Sequence, residues 1–205
     1  MPTPSLILVP ARFKTGKLYT PLATTSGGVV LGASGDFNVT RNTTATRFNS
    51  AGRIESVASG VPRLDYYTSG GTAGCPALLV EPSGSNLCLQ SQDFTTTWSP
   101  TNVTVSANVT GTTDPFGTNL AEQLFETTTS GLHFLAQTMS ITSGTTYAGS
   151  IFFKKAAGSP DWMQVAFSTT GLAGFANFNL TSGTVGNVGA GCTGRIENYG
   201  NGWYR

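Results

Sequence analysis

The sequence predicts an all-β fold, an extended N-terminal anchor arm followed by a β-sandwich or jelly roll. Three observations carry this. Only 10% of the 205 residues are charged, against roughly 25% in an average soluble domain, and helical bundles or coiled coils need Glu, Lys, Arg, Ala and Leu in quantity. Gly, Ser and Thr together form over a third of the chain. From about residue 86, short segments of alternating apolar and polar residues recur, each bounded by Gly, Ser, Thr or Asn, which is the pattern of evenly spaced strands. With 12 Phe, 6 Tyr and 3 Trp, the chain has far too many aromatics to be disordered.

Residues 1–34 read as an extended arm and linker. Pro2, Pro4, Pro10 and Pro21 break any helix. Between them Leu6, Ile7, Leu8 and Val9, and then Lys17, Leu18, Tyr19 and Leu22, form short patches that need a partner surface. Arg12, Lys14 and Lys17 make the arm basic, as a solvated segment or one docked on an acidic protein surface. Residues 35–85 read as a small β-rich region. Thr43 to Phe48 and Arg53 to Val57 are strand-like, with Asn49-Ser50-Ala51-Gly52 as the turn between them. Ala77 to Val80 is a short strand expected to be buried.

Residues 86–205 carry the regular pattern. Val103, Val105, Ala107 and Val109 alternate with polar residues. Leu120 to Glu126 fits one helical turn or a strand, and the following Thr127-Thr128-Thr129 favours strand. Further strands are expected within Leu132–Ile141, Thr146–Lys154, Trp162–Ser168, Phe175–Leu180 and Arg195–Tyr199. Asn201-Gly202 is a hairpin signal. Trp203-Tyr204 should open a strand, yet the chain stops at Arg205; the expectation is a domain truncated at its C-terminus.

Charge and cysteine exclude several functions. The net charge of +1 gives no field toward nucleic acid or anionic lipid. No apolar run approaches the ~18 residues of a membrane span, and no secretory signal opens the chain. Cys75, Cys88 and Cys192 form no CxxC, so a zinc site is not expected. They read as free, buried thiols of a protein folded in a reducing cytoplasm.

No catalytic residues stand out. GxSxG, HExxH and Walker motifs are missing. His133 alternates with apolar neighbours and reads as a strand-face residue. Glu122 and Glu126 lie four apart, but nothing selects them as the carboxylate pair that glycoside hydrolysis needs. Asp93 is the one position considered for a structural calcium ion. No metal site and no cofactor are expected. The remaining binding chemistry is aromatic: Trp98, Trp162, Trp203 and Tyr204 offer flat faces for sugar rings. Core packing competes with that role and is favoured for Trp162, which opens an alternating strand, and for Trp203, which follows a hairpin.

Two segments resemble known proteins. Ser5-Leu6-Ile7-Leu8-Val9-Pro10, Gly35-Asp36-Phe37-Asn38-Val39-Thr40-Arg41, Thr44-Ala45-Thr46-Arg47, Gly52-Arg53-Ile54-Glu55, Val61-Pro62-Arg63-Leu64-Asp65-Tyr66 and Cys75-Pro76-Ala77-Leu78-Leu79-Val80-Glu81-Pro82 occur in this order. That order resembles the N-terminal region of tailed-bacteriophage head-spike, head-fibre and tail-fibre proteins. Asn42-Thr43 and Ser83-Gly84-Ser85 depart from the pattern, which usually has Ala-Ser and Gln-Arg-Thr there. Residues 86–205 are similar to jelly-roll modules of the carbohydrate-binding kind, through Asp93-Phe94, Trp98, Ser150-Ile151-Phe152-Phe153-Lys154 and Asn201-Gly202-Trp203-Tyr204-Arg205. The resemblance implies a non-enzymatic virion protein assembled in the host cytoplasm. It implies a homotrimer anchored to other capsid or tail proteins through residues 6–9, 17–19 and 22. The alternative is an adhesin, a receptor-binding tail fibre that reads host surface glycans.

Overall fold

The computed structural model describes residues 12–19, 22–23, 29–30, 37–66, 74–82, 84–167 and 174–205. The described residues are all-β, with no helix among them. Their strands are short and pair antiparallel in sheets of two or three. The chain divides into two compact units, one made of residues 1–80 with 149–205 and the other of residues 81–148.

In the first unit β1 (Arg12–Lys14) and β2 (Lys17–Tyr19) form a hairpin. Gly16 turns it at a φ of 77°, a conformation other residues avoid. β3 (Leu22–Ala23) pairs with β4 (Val29–Val30), and β2 pairs with β5 (Phe37–Asn38). Lys17, Leu18, Tyr19 and Leu22 of the expected anchor therefore lie in paired strands, whereas Leu6, Ile7, Leu8 and Val9 lie outside the described residues.

β6 (Ala45–Phe48) and β7 (Ile54–Val57) form the hairpin expected around the Asn49–Gly52 turn. Asn49 closes its turn: Oδ1 accepts from the N–H of Ala51 at 2.9 Å and of Arg53 at 3.1 Å. Such a side chain mimics a backbone turn. Arg47 and Glu55 face each other across the pair, with Nη2 2.6 Å from Oε1. Ile54, Val57, Leu64 and Pro62 are buried here. β8 (Leu64–Asp65) pairs with β9 (Ala77–Leu78). Ala77 and Leu78 are only half-buried and Val80 is 79% exposed, so the buried strand expected over 77–80 is corrected. A two-residue partner strand leaves nothing to cover Val80.

The second unit holds β10 (Ser99–Thr101), β11 (Val103–Ser106), β12 (Gln123–Glu126) and β13 (Phe134–Ala136). β10 pairs with β13 and β11 with β12. The ambiguous stretch before Thr127 is thus a strand. Val103 is the only buried hydrophobic residue among the described residues of this unit.

The first unit resumes with β14 (Phe153–Lys154), β15 (Trp162–Ala166), β16 (Phe175–Asn179), β17 (Thr184–Val188) and β18 (Trp203–Tyr204). β14 pairs with β18, and β15, β16 and β17 form a three-stranded meander with β16 central. The Asn201-Gly202 turn forms as expected, with φ of 52° and 79°. Over Arg195–Tyr199 only an isolated bridge, Asn198 to Tyr204, appears. The three cysteines are free, but Cys75 is exposed and the other two half-buried, which corrects the expectation of buried thiols. Small, separate sheets leave too little interior to enclose them.

Candidate functional site

The β15–β16–β17 sheet sorts its side chains by the period of two. Met163 pairs with Phe178, which pairs with Val185; Val165 pairs with Ala176, which pairs with Val188. Those residues share one face. Gly194 packs on that face, and a Cβ there would lie 3.0 Å from Val185 Cγ1 and 3.2 Å from Ala176 Cβ. Cover on this face is partial: Ala176 is buried, Met163, Val165 and Phe178 are half-buried, and Val185 stays 38% exposed.

The opposite face is different. The register sets Trp162, Asn179 and Thr184 in one row and Gln164 with Asn177 in the next. Gln164 Nε2 donates to Asn177 Oδ1 at 2.9 Å. Asn179 is committed to the following turn, where Oδ1 accepts from the N–H of Thr181 and Ser182. A bulge in β17 between the partners of Ala176 and Phe178 brings Gly186 under the Trp162 ring. A Cβ at Gly186 would run into Cζ3 of the indole and lie 2.9 Å from Cη2. The ring therefore rests on bare backbone. Trp162 remains 54% exposed, so the expectation of core packing is corrected for this residue. The reason is alternation: Met163 and Val165 take the covered side, and Trp162 must take the other.

The other aromatic candidates are placed differently. Trp98, in the second unit, is half-buried, donates Nε1–H to Gln90 O at 3.2 Å, and meets Phe94 edge-on at 5.1 Å. Trp203 and Tyr204 are half-buried in β18. Tyr204 packs over Gly183, where a Cβ would lie 2.9 Å from Cε1. Trp162 and Tyr204 thus converge on residues 183–186, while Trp98 belongs to the other unit.

The acidic candidates are engaged by local partners. Burial raises the carboxyl of Glu122 above its ordinary range, and the negative charge of Asp93 adds to this, against the Phe94 N–H that donates to Oε2 at 2.5 Å. Asp93 is held down by Thr95, whose hydroxyl and N–H both donate to Oδ1. Its oxygens are occupied by its own turn rather than gathered with carbonyls as a calcium site requires. Among the described residues no group of three or more His, Cys, Asp or Glu could hold a metal ion, and no helix is long and apolar enough to cross a membrane. His133 bonds Thr129 O through Nε2 at 2.7 Å, with Nδ1 3.6 Å from Glu126. No Ser or Cys lies among those partners.

Sequence reasoning picked out Trp162 but missed Gln164, Asn177, Thr184 and Gly186. The signal was present in the alternation of Trp-Met-Gln-Val-Ala and Phe-Ala-Asn-Phe-Asn. What was missing was the register that lays one set beside the other. Comparison with known protein families, with curated proteins and with solved structures finds no match.

Proposed function

We propose that this chain is a non-enzymatic structural protein of a tailed-phage virion. In this reading it is a fibre or spike, anchored to the head or tail through its N-terminal region and assembled as a homotrimer with other capsid or tail proteins. The observation that carries the reading is the balance of apolar surface. Among the described residues six hydrophobic residues are buried, while thirteen large ones are exposed, nine of them in residues 81–148. A chain that leaves so much apolar surface open is built to be covered by partners. The ordered motifs of the first hundred residues point to the same class.

Deleting residues 1–22 should abolish incorporation into particles without unfolding residues 86–205. Normal incorporation of the deletion would overturn the proposal. Light scattering of the intact chain should give the mass of a trimer.

A second reading, a host-glycan adhesin, is favoured by one observation: the exposed indole of Trp162 one row from the Gln164–Asn177 pair. The two readings are compatible, since a fibre can be anchored at one end and adhesive at the other.

A further inference from the structure

We infer that the outer face of the β15–β16–β17 sheet, built on Trp162, Gln164, Asn177 and Thr184, is a binding site for neutral hexopyranose units of a glycan. The inference rests on the adhesin reading and gives it a location and a ligand class.

Four observations lead to it. The indole packs against Gly186, where any side chain would collide with it, and the residue stays 54% exposed. An aromatic face with nothing above it attracts the C–H groups on one side of a pyranose ring, because the π-face is negative and those hydrogens are partly positive. Gln164 and Asn177 stand one row away and already join amide to amide at 2.9 Å. That bond uses one donor of Gln164 and the oxygen of Asn177. It leaves the Gln164 oxygen, its second N–H and the Asn177 NH₂ for sugar hydroxyls, which both give and take hydrogen bonds. Thr184 adds an exposed hydroxyl at the end of the Trp162 row, itself bonded to Ser182 Oγ at 2.8 Å. An apolar platform with a few aimed polar groups is the usual make-up of a small-ligand site.

The ligand class follows from charge. Trp162, Gln164, Asn177, Asn179, Thr184 and Gly186 carry none. The nearest ion pair in sequence, Lys155 with Asp161, is closed on itself and on Thr181. A carboxylated or sulfated sugar would find no cation to replace its water here. A neutral hexose loses nothing of that kind.

Isothermal titration calorimetry on the full 205-residue chain tests this. The probes are cellohexaose, a β-1,4-linked galactohexaose and, as the acidic counterpart, hexagalacturonate. The expected result is saturable binding of at least one neutral hexasaccharide and none of hexagalacturonate. Trp162→Ala should weaken it at least about tenfold, with Trp162→Phe keeping most of it, Gln164→Ala weakening it, and Trp98→Ala leaving it unchanged. Because Trp162 is exposed, its variants should melt close to the parent; if Trp162→Ala unfolds, Gln164→Ala decides. Neutral-sugar binding that survives both Trp162→Ala and Gln164→Ala overturns the site and leaves the adhesin reading standing. Preference for hexagalacturonate overturns the ligand class. No binding of any probe overturns both the site and the adhesin reading it rests on.

Discussion

The rings of Phe48 and Tyr199 lie with centroids 5.0 Å apart, tilted by 41°. Phe48 ends the β6 strand near the start of the chain, and Tyr199 precedes the final hairpin. On its other side Tyr199 meets Phe152 edge-on, also at 5.0 Å, and Arg205 lies 5.9 Å from the Phe152 centroid. The Tyr199 hydroxyl donates to Glu197 Oε2 at 3.0 Å. Glu197, whose side chain is only 10% exposed, also faces the Arg195 guanidinium through Oε1. Aromatic pairs of this geometry contribute about 0.5–1.5 kcal/mol beyond the area they bury. Phe48→Ala should therefore lower stability by roughly 2–3 kcal/mol, read from urea denaturation followed at 149–205. A change below a few tenths would mean the rings touch without holding the two segments.

Burial pushes the Tyr199 hydroxyl up to about 12, with Glu197 adding to the shift and Arg205 opposing it. The folded state thus holds this proton more tightly than the unfolded chain, whose tyrosines ionise near 10. The resulting stabilisation is complete below about pH 10 and is lost as pH rises toward 12. Absorbance titration near 295 nm should show one late tyrosine, absent in Tyr199→Phe. Loss of a different, early-titrating tyrosine in that variant would contradict the assignment.

Arg41 is a clamp made of carbonyl contacts. Its guanidinium donates to Thr43 O at 2.8 Å, Val61 O at 3.1 Å, Val57 O at 3.0 Å and Ala58 O at 2.5 Å. Its own carbonyl accepts from Ser59 Oγ and Gly60 N. Gly60 O in turn accepts from Gly16 N at 2.8 Å, which ties the first hairpin to the same loop. Arg41→Ala should cost roughly 2–3 kcal/mol by stranding several acceptors. Arg41→Lys should recover little, since one ammonium cannot reproduce a planar fork. Equal melting of Arg41→Lys and the parent would refute this.

Asp114 organises the 114–120 loop. Oδ1 accepts from Phe116 N and Thr118 N at 2.9 Å each, and Oδ2 accepts from the Thr118 hydroxyl and, at 3.2 Å, from Leu120 N. Burial works to raise its carboxyl, but these bonds outweigh it and hold the group below its ordinary value. With the folded value depressed, the stabilisation is present above about pH 4 and disappears as pH falls through the folded value. Asp114→Ala should cost about 1 kcal/mol at pH 7, small because the group is largely solvated. The gap between variant and parent should close in acid. A gap unchanged between pH 7 and pH 2 would contradict the charge-based account.

Gly186→Ala should lift the Trp162 indole off the sheet, since the new methyl and the ring claim one space. The expected signature is a red-shifted tryptophan emission with the β-sheet circular dichroism retained. An unchanged spectrum would mean the ring does not rest on that backbone in solution.

The hairpin of β6 and β7 was legible because two short strand-like segments flank a turn marked by Asn49 and Gly52. The Asn201-Gly202 turn was legible for the same reason. β17 was not, because Thr184-Val185-Gly186-Asn187-Val188 hides a glycine and a bulge that break its period of two. The outward aim of Trp162 was not either. A strand with Trp, Gln and Ala on one side and Met and Val on the other shows which sets alternate, but only the packing of Gly194 decides which set is covered. Val80 failed for a related reason: an apolar residue announces a need for cover without naming what supplies it.

Three aromatic side chains sit where a glycine stands: Trp162 over Gly186, Tyr204 over Gly183 and Phe167 over Gly149, where a Cβ would lie 2.9 Å from Cζ. This bears on how the chain tolerates change. In most strands the bulky residue is the fragile one and the smallest residue the forgiving one. Here the fragility is shared: enlarging the seat should disturb the ring as surely as trimming the ring. A mutational scan of residues 149–205 read by stability should therefore find Gly149 and Gly183 among its least replaceable positions, paired with Phe167 and Tyr204, while at Gly186 and the exposed Trp162 the effect falls on the placement of the ring.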